Sequence, residues 1–341
     1  MKKVISHLAT VIGLLVISSS VLAEQQLYVE PQVQQKPILN LIQQSKKNID
    51  VVIYEFSDPT LIKALGEADK RGVKVRVLMT SRIHGNYAPI WKNIHEFQDE
   101  GIEVKRTNPD FTYTHQKTFI FDNKKALIST GNMDFDRYPN SRNFLVLTDE
   151  PQEVKQIVDV YHADWQHQRP HLTQQQLTAS QLVWSPINAT SALVKLINSA
   201  QHSMDIYALE MSDPAIVSAL EQALKRGVDV SIIYSKAPFA WSQQDLIKLY
   251  RQGANLRVLE DSAPFIHAKA ILVDGKQAYI GSENFTTNSL QRNRELGIIT
   301  QQPTVLNTLK STLAHDMATP AYRVSELVSS PHLALPHQTQ H

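Results

Sequence analysis

Cysteine is absent from the 341-residue chain. This absence excludes disulfide bonds, a thiolate nucleophile and a zinc site built on cysteine. Long apolar runs are also scarce, because after the N-terminal segment no stretch approaches the roughly 18 consecutive apolar residues of a membrane-spanning helix. With 42% apolar residues, the chain can still bury a large core. We therefore expect a soluble globular protein without a transmembrane anchor.

An excess of positive charge is the third feature that is lacking, since the formal net charge is +1. At the N-terminus, Lys2 and Lys3 precede an apolar run at 11–16, and small residues lead to Ala23. This order of features predicts a secretory signal peptide over residues 1–23, and therefore export to the periplasm or beyond. Without those two lysines the formal charge is about −1, which is a poor charge for a nonspecific nucleic-acid binder.

A long internal repeat is the most informative feature that is present. Residues 49–80 match residues 204–235 at an offset of 155, and both copies contain Asp-x4-Glu-x-Ser-Asp-Pro followed by Lys-Arg-Gly-Val. Residues 114–132 match residues 266–284 at an offset of 152. A period this long indicates a domain duplication, because the units of solenoid repeats are far shorter.

Each copy of the repeat shows the same order of predicted elements. In the first copy, apolar runs at 49–56 and 74–79 predict strands on either side of a helix at 60–71, and further strands are predicted at 115–121 and 125–130. The fold class is therefore α/β. We expect two homologous α/β/α halves, each with a mostly parallel mixed sheet, related by a pseudo-two-fold axis.

The boundaries of the halves follow from composition. The first half is predicted to span 24–165 and the second 183–326, with a glutamine-rich linker at 166–182. The polar segment 327–341 is expected to be a poorly ordered tail.

Proline and glycine bound one predicted helix in each copy. Pro59 and Pro214 stand where a first helical turn tolerates proline, directly after Ser-Asp pairs that are candidates for the N-cap. Gly72 and Gly227 then stand where these helices should end.

The chemistry lies in the second repeated block. His115-x-Lys117-x4-Asp122 and His267-x-Lys269-x4-Asp274 each place a histidine and a lysine two residues apart on a predicted strand. Because side chains alternate along a strand, both should leave the same face. If the two copies meet, one phosphate would lie between two histidines and two lysines.

Small polar residues follow each motif at the same distance. They are Ser129-Thr130-Gly131-Asn132 in the first copy and Gly281-Ser282-Glu283-Asn284 in the second. Their hydroxyl and amide groups could donate hydrogen bonds to phosphate oxygens. We include Asn132, Asn284 and Ser282 among the candidate phosphate-binding or supporting residues.

These motifs carry a family resemblance. HxKx4D followed by GSxN, twice in one chain, resembles the phospholipase D superfamily, and the Ser-Asp-Pro, helix and Arg-Gly-Val lead-in is similar as well. The resemblance covers nearly all of residues 28–300. A lone His-x-Lys is usually a solvated strand feature. Two copies in register overturn that interpretation.

The resemblance implies cleavage of a phosphodiester through a phosphohistidine. His115 would be the nucleophile and His267 the general acid, so the two roles need opposite protonation states. Lys117 and Lys269 would neutralise the phosphate. No cofactor or metal is implied, because the lysines occupy the place where a metal site would have carboxylates.

The remaining motif positions are less uniform. Asp122 and Asp274 belong to the motif, and we expect them to support the fold. The family commonly has a glutamate beyond each asparagine; the second copy has Glu295, which could orient a histidine, but the first copy has Asn143. Asp134 or Asp136 could replace the missing carboxylate.

Aromatic residues bear on the substrate. Four aromatic residues are predicted to be exposed on loops that flank the pocket: Tyr87, Trp91, Phe239 and Trp241. Exposed rings at this place would suit docking to a lipid surface. The four rings could equally pack over the core. A different set is assigned to strand core: Phe111, Tyr113, Phe265 and Ile266.

We predict an exported phospholipase D that acts at a membrane surface and converts glycerophospholipid to phosphatidic acid and a free head group. A nuclease using the same mechanism, a cardiolipin synthase-like phosphatidyl transferase and a non-catalytic lipid-binding protein remain alternatives. One chain contains a complete site, and the oligomeric state is left open.

Overall fold

The computed structural model describes residues 24–83 and 88–329. The predicted signal peptide, Tyr87 and residues 330–341 of the predicted tail lie outside the described residues. Among those that are described, no helix is long and apolar enough to cross a bilayer.

The first half contains these elements: β1 (Gln25–Glu30), α1 (Lys36–Gln44), β2 (Asn48–Ile53), α2 (Pro59–Lys70), β3 (Lys74–Met79), α3 (Ala88–Asp99), β4 (Glu103–Arg106), β5 (Thr118–Phe121), β6 (Lys125–Ser129), β7 (Ser141–Thr148) and α4 (Pro151–Trp165). The predicted linker contains one short helix, α5 (Gln174–Ala179).

The second half repeats this order with additions: β8 (Leu182–Ser185), α6 (Ala189–Ser199), β9 (Ser203–Tyr207), α7 (Pro214–Lys225), β10 (Asp229–Ser235), α8 (Lys236–Phe239), α9 (Gln243–Arg251), β11 (Asn255–Leu259), β12 (Phe265–Ile266), β13 (Ala270–Val273), β14 (Gln277–Gly281), α10 (Thr287–Gln291), β15 (Glu295–Thr300), α11 (Pro303–Met317), β16 (Ala321–Tyr322) and α12 (Val324–Ser329).

The described strands form two eight-stranded sheets, one for each half. The first has the order β1-β7-β6-β5-β2-β3-β4, with β12 paired to β7, and the second has the order β16-β11-β10-β9-β13-β14-β15-β8. The α/β class and the two halves are therefore confirmed. Because β12 belongs to the second half and pairs with the first, the two sheets are also joined by backbone hydrogen bonds.

The expectation of mostly parallel strands is wrong. Only β2-β3-β4 and β9-β10-β11 run parallel within their own sheets, and the remaining neighbours there are antiparallel. The reason is local: β5 turns directly into β6, and β13 into β14, through tight turns whose first residues, Asp122 and Asp274, have positive φ. Strands joined by such a short turn pair as an antiparallel hairpin.

The predicted helix boundaries are confirmed. The Asp58 carboxylate accepts from the Thr60 and Leu61 amides at the start of α2, and Asp213 does the same at the start of α7. Gly72 follows the end of α2 with φ +87°, a backbone conformation that glycine adopts without steric cost.

The core runs through both halves. Apolar side chains of each sheet pack against that half's own helices, and a further buried cluster joins strands of one sheet to strands of the other. Phe144 of β7, for example, contacts Tyr207 of β9 with ring centroids 5.3 Å apart. Backbone pairing also links the halves beside this core, because β12 pairs with the start of β7 and Thr114 pairs with Arg294 directly before β15.

Candidate active site

The lysine of each motif directly precedes a strand, and its carbonyl accepts from the hairpin partner, Ser129 or Gly281. The histidine lies two residues earlier, outside the strand that was predicted to hold it. The reason is that this backbone pairs with the other half. The His115 N–H donates to the Arg294 carbonyl at 2.8 Å, and the His267 N–H donates to the Arg142 carbonyl at 3.2 Å. Each half therefore holds the other half's histidine by its backbone.

The two histidines and two lysines come together in one site. Lys117 and Lys269 are fully buried. Lys269 Nζ, from the second half, lies 3.5 Å from the Thr130 carbonyl oxygen of the first half. The charge of each lysine lowers the pKa of both histidines, so all four groups lie within short electrostatic range.

Burial dominates the protonation of these groups. It lowers the pKa of His115 to about 4, although Glu295 opposes this effect. It also lowers the pKa of His267 well below its ordinary value, and the lysines add to that effect. The pKa of Lys269 falls to about 7, again chiefly through burial. Burial and the two lysine charges therefore disfavour further positive charge in this site, and a bound anion would offset them.

The His115 imidazole contacts a buried carboxylate. Its Nδ1 lies 2.8 Å from Glu295 Oε2, which also accepts from the Ser282 hydroxyl at 2.7 Å. Ser289 and Asn293 donate to the other carboxylate oxygen at 2.8 and 3.0 Å. Burial alone would raise the pKa of Glu295, but the contact with His115 holds it below its ordinary value. Glu295 therefore orients a histidine, and that histidine belongs to the other half.

His267 has an amide in the corresponding place. Its Nδ1 lies 3.0 Å from Asn143 Oδ1, and the same oxygen accepts from the Thr130 hydroxyl at 3.0 Å. Asn143 and Glu295 are equivalent in the repeat, as are Thr130 and Ser282. The two support networks therefore have the same layout, with a neutral amide in one and a carboxylate in the other.

The expectation that Asp134 or Asp136 replaces the missing carboxylate is not met. Asp134 forms an ion pair with Arg137 at 2.9 Å and accepts from the backbone N–H of Asp136. Asp136 is exposed on the same loop. His267 instead takes its support from Asn143, the position that is equivalent to Glu295 in the repeat.

The small polar residues after each motif divide into two groups. The hydroxyls of Thr130 and Ser282 belong to the support networks, which is the supporting role that the sequence allowed for Ser282. Asn132 and Asn284 are partly exposed, and the Oδ1 atom of each is buried without a hydrogen-bond partner among the described residues. The predicted phosphate contact therefore rests on these two asparagines.

Asp122 and Asp274 lie at the far ends of β5 and β13, away from the histidines. The Asp122 carboxylate accepts from the backbone N–H groups of Lys46, Lys47 and Asn48, and Asp274 accepts from the equivalent segment, residues 201–203. These bonds lower the pKa of both carboxyls against the effect of burial. Both motif aspartates therefore tie a turn to the start of a strand, and neither contacts the reacting groups.

Two buried ion pairs tie the halves together beside the site. Arg142 donates to Asp316 of α11 at 2.7 Å, and Arg294 donates to Asp164 of α4 at 2.9 Å. Both pairs cross from one half to the other and are related by the repeat. Since each arginine directly precedes Asn143 or Glu295, the pairs anchor the backbone that supports the histidines.

Three glutamates near the lysines were not assigned a role from the sequence. Glu55 and Glu283 raise the pKa of Lys117 against the effect of burial, and Glu210 does so for Lys269. Glu55 and Glu210 belong to the repeated Asp-x4-Glu-x-Ser-Asp-Pro block, so their duplication was the available signal. In the described part of the chain, no group of three or more His, Asp or Glu side chains is arranged to hold a metal ion.

The aromatic residues differ from the expected burial in four places. Two of them are Phe111 and Tyr113, which were predicted as strand core but lie outside the strands and are only partly buried. Trp91 and Trp241 are exposed as predicted, although Trp91 lies on α3 and not on a loop. Phe239 is buried because α8 turns it into the core.

Phe265, predicted as strand core, is 37% exposed, whereas Ile266 beside it on β12 is buried, because successive side chains of a strand point to opposite faces. Phe135 is 51% exposed on the loop after Asn132. Phe135 and Phe265 are thus exposed rings within three residues of site residues.

Taken together, two imidazoles beside two buried lysines, with an ionised carboxylate behind one imidazole, suit nucleophilic displacement at a phosphodiester. The family described as "Cardiolipin synthase, PLD-like domain" matches residues 38–165 and 193–317. The chain therefore belongs to the phospholipase D superfamily.

Individual relatives are similar over part of the chain. A phospholipase D of Rickettsia prowazekii is 38% identical over 112 residues, covering 32% of this chain and 53% of the relative. A cardiolipin synthase A of Pseudomonas aeruginosa is 29% identical over 129 residues, covering 37% of this chain and 26% of the relative. The chain thus spans about half the length of the rickettsial relatives that it matches.

Solved structures extend the likeness to the whole fold. The phosphatidylserine synthase of Haemophilus influenzae superposes with a TM-score of 0.68 at 15% identity, and covers 90% of both chains. At this identity the likeness shows a shared fold.

Proposed function

We propose that the protein is a phospholipase D-type phosphodiesterase that hydrolyses glycerophospholipids to phosphatidic acid and a free head group. The observation that carries the proposal is the contact between His115 and Glu295 beside two buried lysines. Because the Nδ1 atom faces the carboxylate, the Nε2 atom is left to attack phosphorus.

In the first step, His115 Nε2 forms a bond to phosphorus as the bond from phosphorus to the head-group oxygen breaks. His267 donates its proton to the departing oxygen. The phosphorylated imidazole is cationic, and the Glu295 carboxylate stabilises it. A carboxylate behind the nucleophile therefore acts where positive charge develops.

In the second step, water attacks the phosphorus, His267 accepts a proton from that water, and the bond between nitrogen and phosphorus breaks. His267 needs a higher pKa than the unliganded site gives it to act as an acid in the first step. The negative charge of a bound phosphodiester offsets Lys117 and Lys269, and so raises the pKa of His267.

Several observations favour a lipid substrate. The similar proteins named above act, by their names, on phospholipids. The exposed rings of Phe135 and Phe265 adjoin the site and could enter a lipid interface. The chain has almost no net charge, whereas nonspecific nucleic-acid binding depends on a basic surface. Transfer of the phosphatidyl group to an alcohol is a second candidate, favoured by the family description. We also propose export, based on the pattern at residues 1–23.

The test is to incubate the protein with mixed phospholipid vesicles, with and without phosphatidylglycerol as an acceptor, and separately with single-stranded DNA. A His267→Ala variant is the control. We expect phosphatidic acid and free head group to appear only with intact His267. Cardiolipin formation without phosphatidic acid would establish the transferase, and DNA cleavage without lipid turnover would overturn the lipid proposal.

A further inference from the structure

The strand next to Asn143 carries a buried glutamate. In the pairing of β1 with β7, Glu30 lies opposite Asn143. In the corresponding pairing of β8 with β15, Ser185 lies opposite Glu295. Glu30 and Ser185 each precede a proline and are separated by 155 residues, the offset of the first repeated block. They are therefore equivalent positions. The carboxylate of the pair is on β1 in the first half, at Glu30, and on β15 in the second half, at Glu295.

The burial of Glu30 lowers the stability of the fold, which suggests that the residue is kept for a functional reason. Glu30 is 1% exposed, and its Oε1 atom has no hydrogen-bond partner among the described residues. The side chain of Asn143 hydrogen-bonds the carboxyl, although burial still raises the pKa of Glu30 to about 8. Arg142 donates to the backbone carbonyl of Glu30 while its guanidinium pairs with Asp316, so it does not neutralise the carboxyl. A buried polar group left this poorly paired lowers stability.

The amide of Asn143 has to be oriented for His267 to work. The Phe144 N–H donates to Thr130 Oγ1 at 3.0 Å, which leaves the Thr130 hydroxyl free to donate to Asn143 Oδ1. The Oδ1 atom then accepts from His267 Nδ1, and the amide nitrogen is directed to Glu30. A flipped amide would present a donor to Nδ1 and favour the tautomer protonated at Nε2.

We propose that Glu30 is a positioning residue for His267. It accepts from the amide nitrogen of Asn143, fixes the amide with Oδ1 towards the imidazole, and so supplies from β1 the carboxyl that the first half lacks on β7. The Glu30, Asn143 and His267 side chains form the counterpart of the direct contact between Glu295 and His115. The effect on turnover rests on the proposed function, whereas the effect on the His267 tautomer does not.

The test uses Glu30→Leu and Glu30→Gln variants of the whole chain with two readouts. One is the 15N spectrum of the His267 ring, identified by its loss in His267→Ala, and the other is kcat and KM for bis(p-nitrophenyl) phosphate. Leucine should shift His267 towards the other tautomer and lower kcat roughly 10-fold with little change in KM, because Glu30 acts through Asn143. Glutamine can still accept from Asn143, so it should keep the wild-type tautomer and a kcat within about 3-fold.

A matched control is Glu153→Leu, because Glu153 is also a buried carboxyl, held by Gln25 of β1 and by Thr148, and does not contact the site. It should lower stability and leave the His267 spectrum unchanged. If Glu30→Leu keeps both the wild-type tautomer and the wild-type kcat, the proposal is wrong. A tautomer change in a protein without any phosphodiesterase activity would support the positioning role and refute only the proposed function.

A swap decides the matter if Glu30→Leu does not fold. Glu30→Ser alone should resemble the leucine variant, and Glu30→Ser with Asn143→Glu recreates the arrangement of Ser185 and Glu295. The double variant should recover most of the lost kcat and the wild-type tautomer. A double variant no better than Glu30→Ser alone would contradict the proposal.

Discussion

The two halves place the same histidine and lysine in the same way but support the two imidazoles with different groups. In the second half, Glu295 supports His115 directly with a charge. In the first half, Asn143 supports His267 with a neutral oxygen. In the proposed mechanism this difference divides two roles. The imidazole that would become a covalent cation contacts a carboxylate directly, and the imidazole that would exchange a proton contacts an amide.

The same division extends to the neighbouring positions. Gly131 is equivalent to Glu283, and a side chain at Gly131 would lie 2.5 Å from Asn143. Glu283 is buried, accepts from the Tyr279 hydroxyl at 2.6 Å, and has its pKa raised by burial to about 8. The acidic groups of the motif segments are therefore concentrated in the second half, behind the proposed nucleophile.

The protein should lose its activity when a motif histidine of either half is removed. His115→Ala and His267→Ala should each lower kcat roughly 10³-fold or more, and the double variant should lose little beyond either single one, because each histidine has its own step. The measurement is steady-state turnover, with exposed His95→Ala on α3 as the control. A near wild-type rate in either single variant would contradict the proposal that both histidines act in one site.

Replacing Glu295 and Asn143 tests whether the two histidines depend on different support. Glu295→Gln should lower kcat roughly 10²-fold, and Asn143→Ala roughly 10-fold, because only the first removes a charge that stabilises the intermediate. Glu295 also raises the pKa of His115, so the acid limb of kcat/KM should move to lower pH in Glu295→Gln and stay in place in Asn143→Ala. Equal losses and unmoved limbs in both variants would mean that the two supports are interchangeable.

The two buried ion pairs should contribute equally to stability, in contrast to the two different support groups of the histidines. Asp164→Asn and Asp316→Asn each leave a buried arginine without its charged partner, so each should lower the free energy of unfolding by about 3 to 5 kcal/mol. Urea unfolding measures this, with Lys70→Ala as a control because Lys70 forms an exposed pair with Glu100. A large difference between the two variants would show that the halves are not tied together equivalently.

The smallest effect concerns pH and stability. Burial raises the pKa of Glu30 from 4.5 to about 8. Its contribution to stability is therefore fully present below pH 4.5 and is lost as the pH rises towards 8. Glu30→Gln should flatten the fall in unfolding free energy over this window by a few kcal/mol at most. Urea unfolding at several pH values measures the slope, and an unchanged slope would mean that Glu30 is not a titrating buried carboxyl.

Much of the fold could be predicted from local patterns. Each successful prediction depends on a few neighbouring residues in the sequence. This holds for the Ser-Asp-Pro caps, the glycines after α2 and α7, and the duplicated His-x-Lys spacing. The antiparallel hairpins were missed although Asp274-Gly275 is a turn signal. β1 and β8 were also missed, yet the repeat continues upstream of residue 49, since Leu27 and Pro31 match Leu182 and Pro186.

The support of the histidines could be predicted only in part. Glu295 was singled out, but its partner was not, because His115 lies 180 residues away in the other half. Asp134 and Asp136 were considered because they are close in sequence to the first motif. The group that lies beside Asn143 is Glu30, and only the pairing of β1 with β7 brings it there.

The most direct test of the central claim is to locate the covalent intermediate. His267→Ala removes the group that activates water, and p-nitrophenolate leaves without a proton, so incubation with p-nitrophenyl phosphorylcholine should trap the adduct. Quenching at alkaline pH preserves a phosphohistidine for peptide mass spectrometry. We expect a phosphorylcholine group on His115 in the His267→Ala variant, and no adduct in the His115→Ala variant. An adduct on His267 in the His115→Ala variant, together with no adduct on His115 in the His267→Ala variant, would contradict the division of roles between the halves.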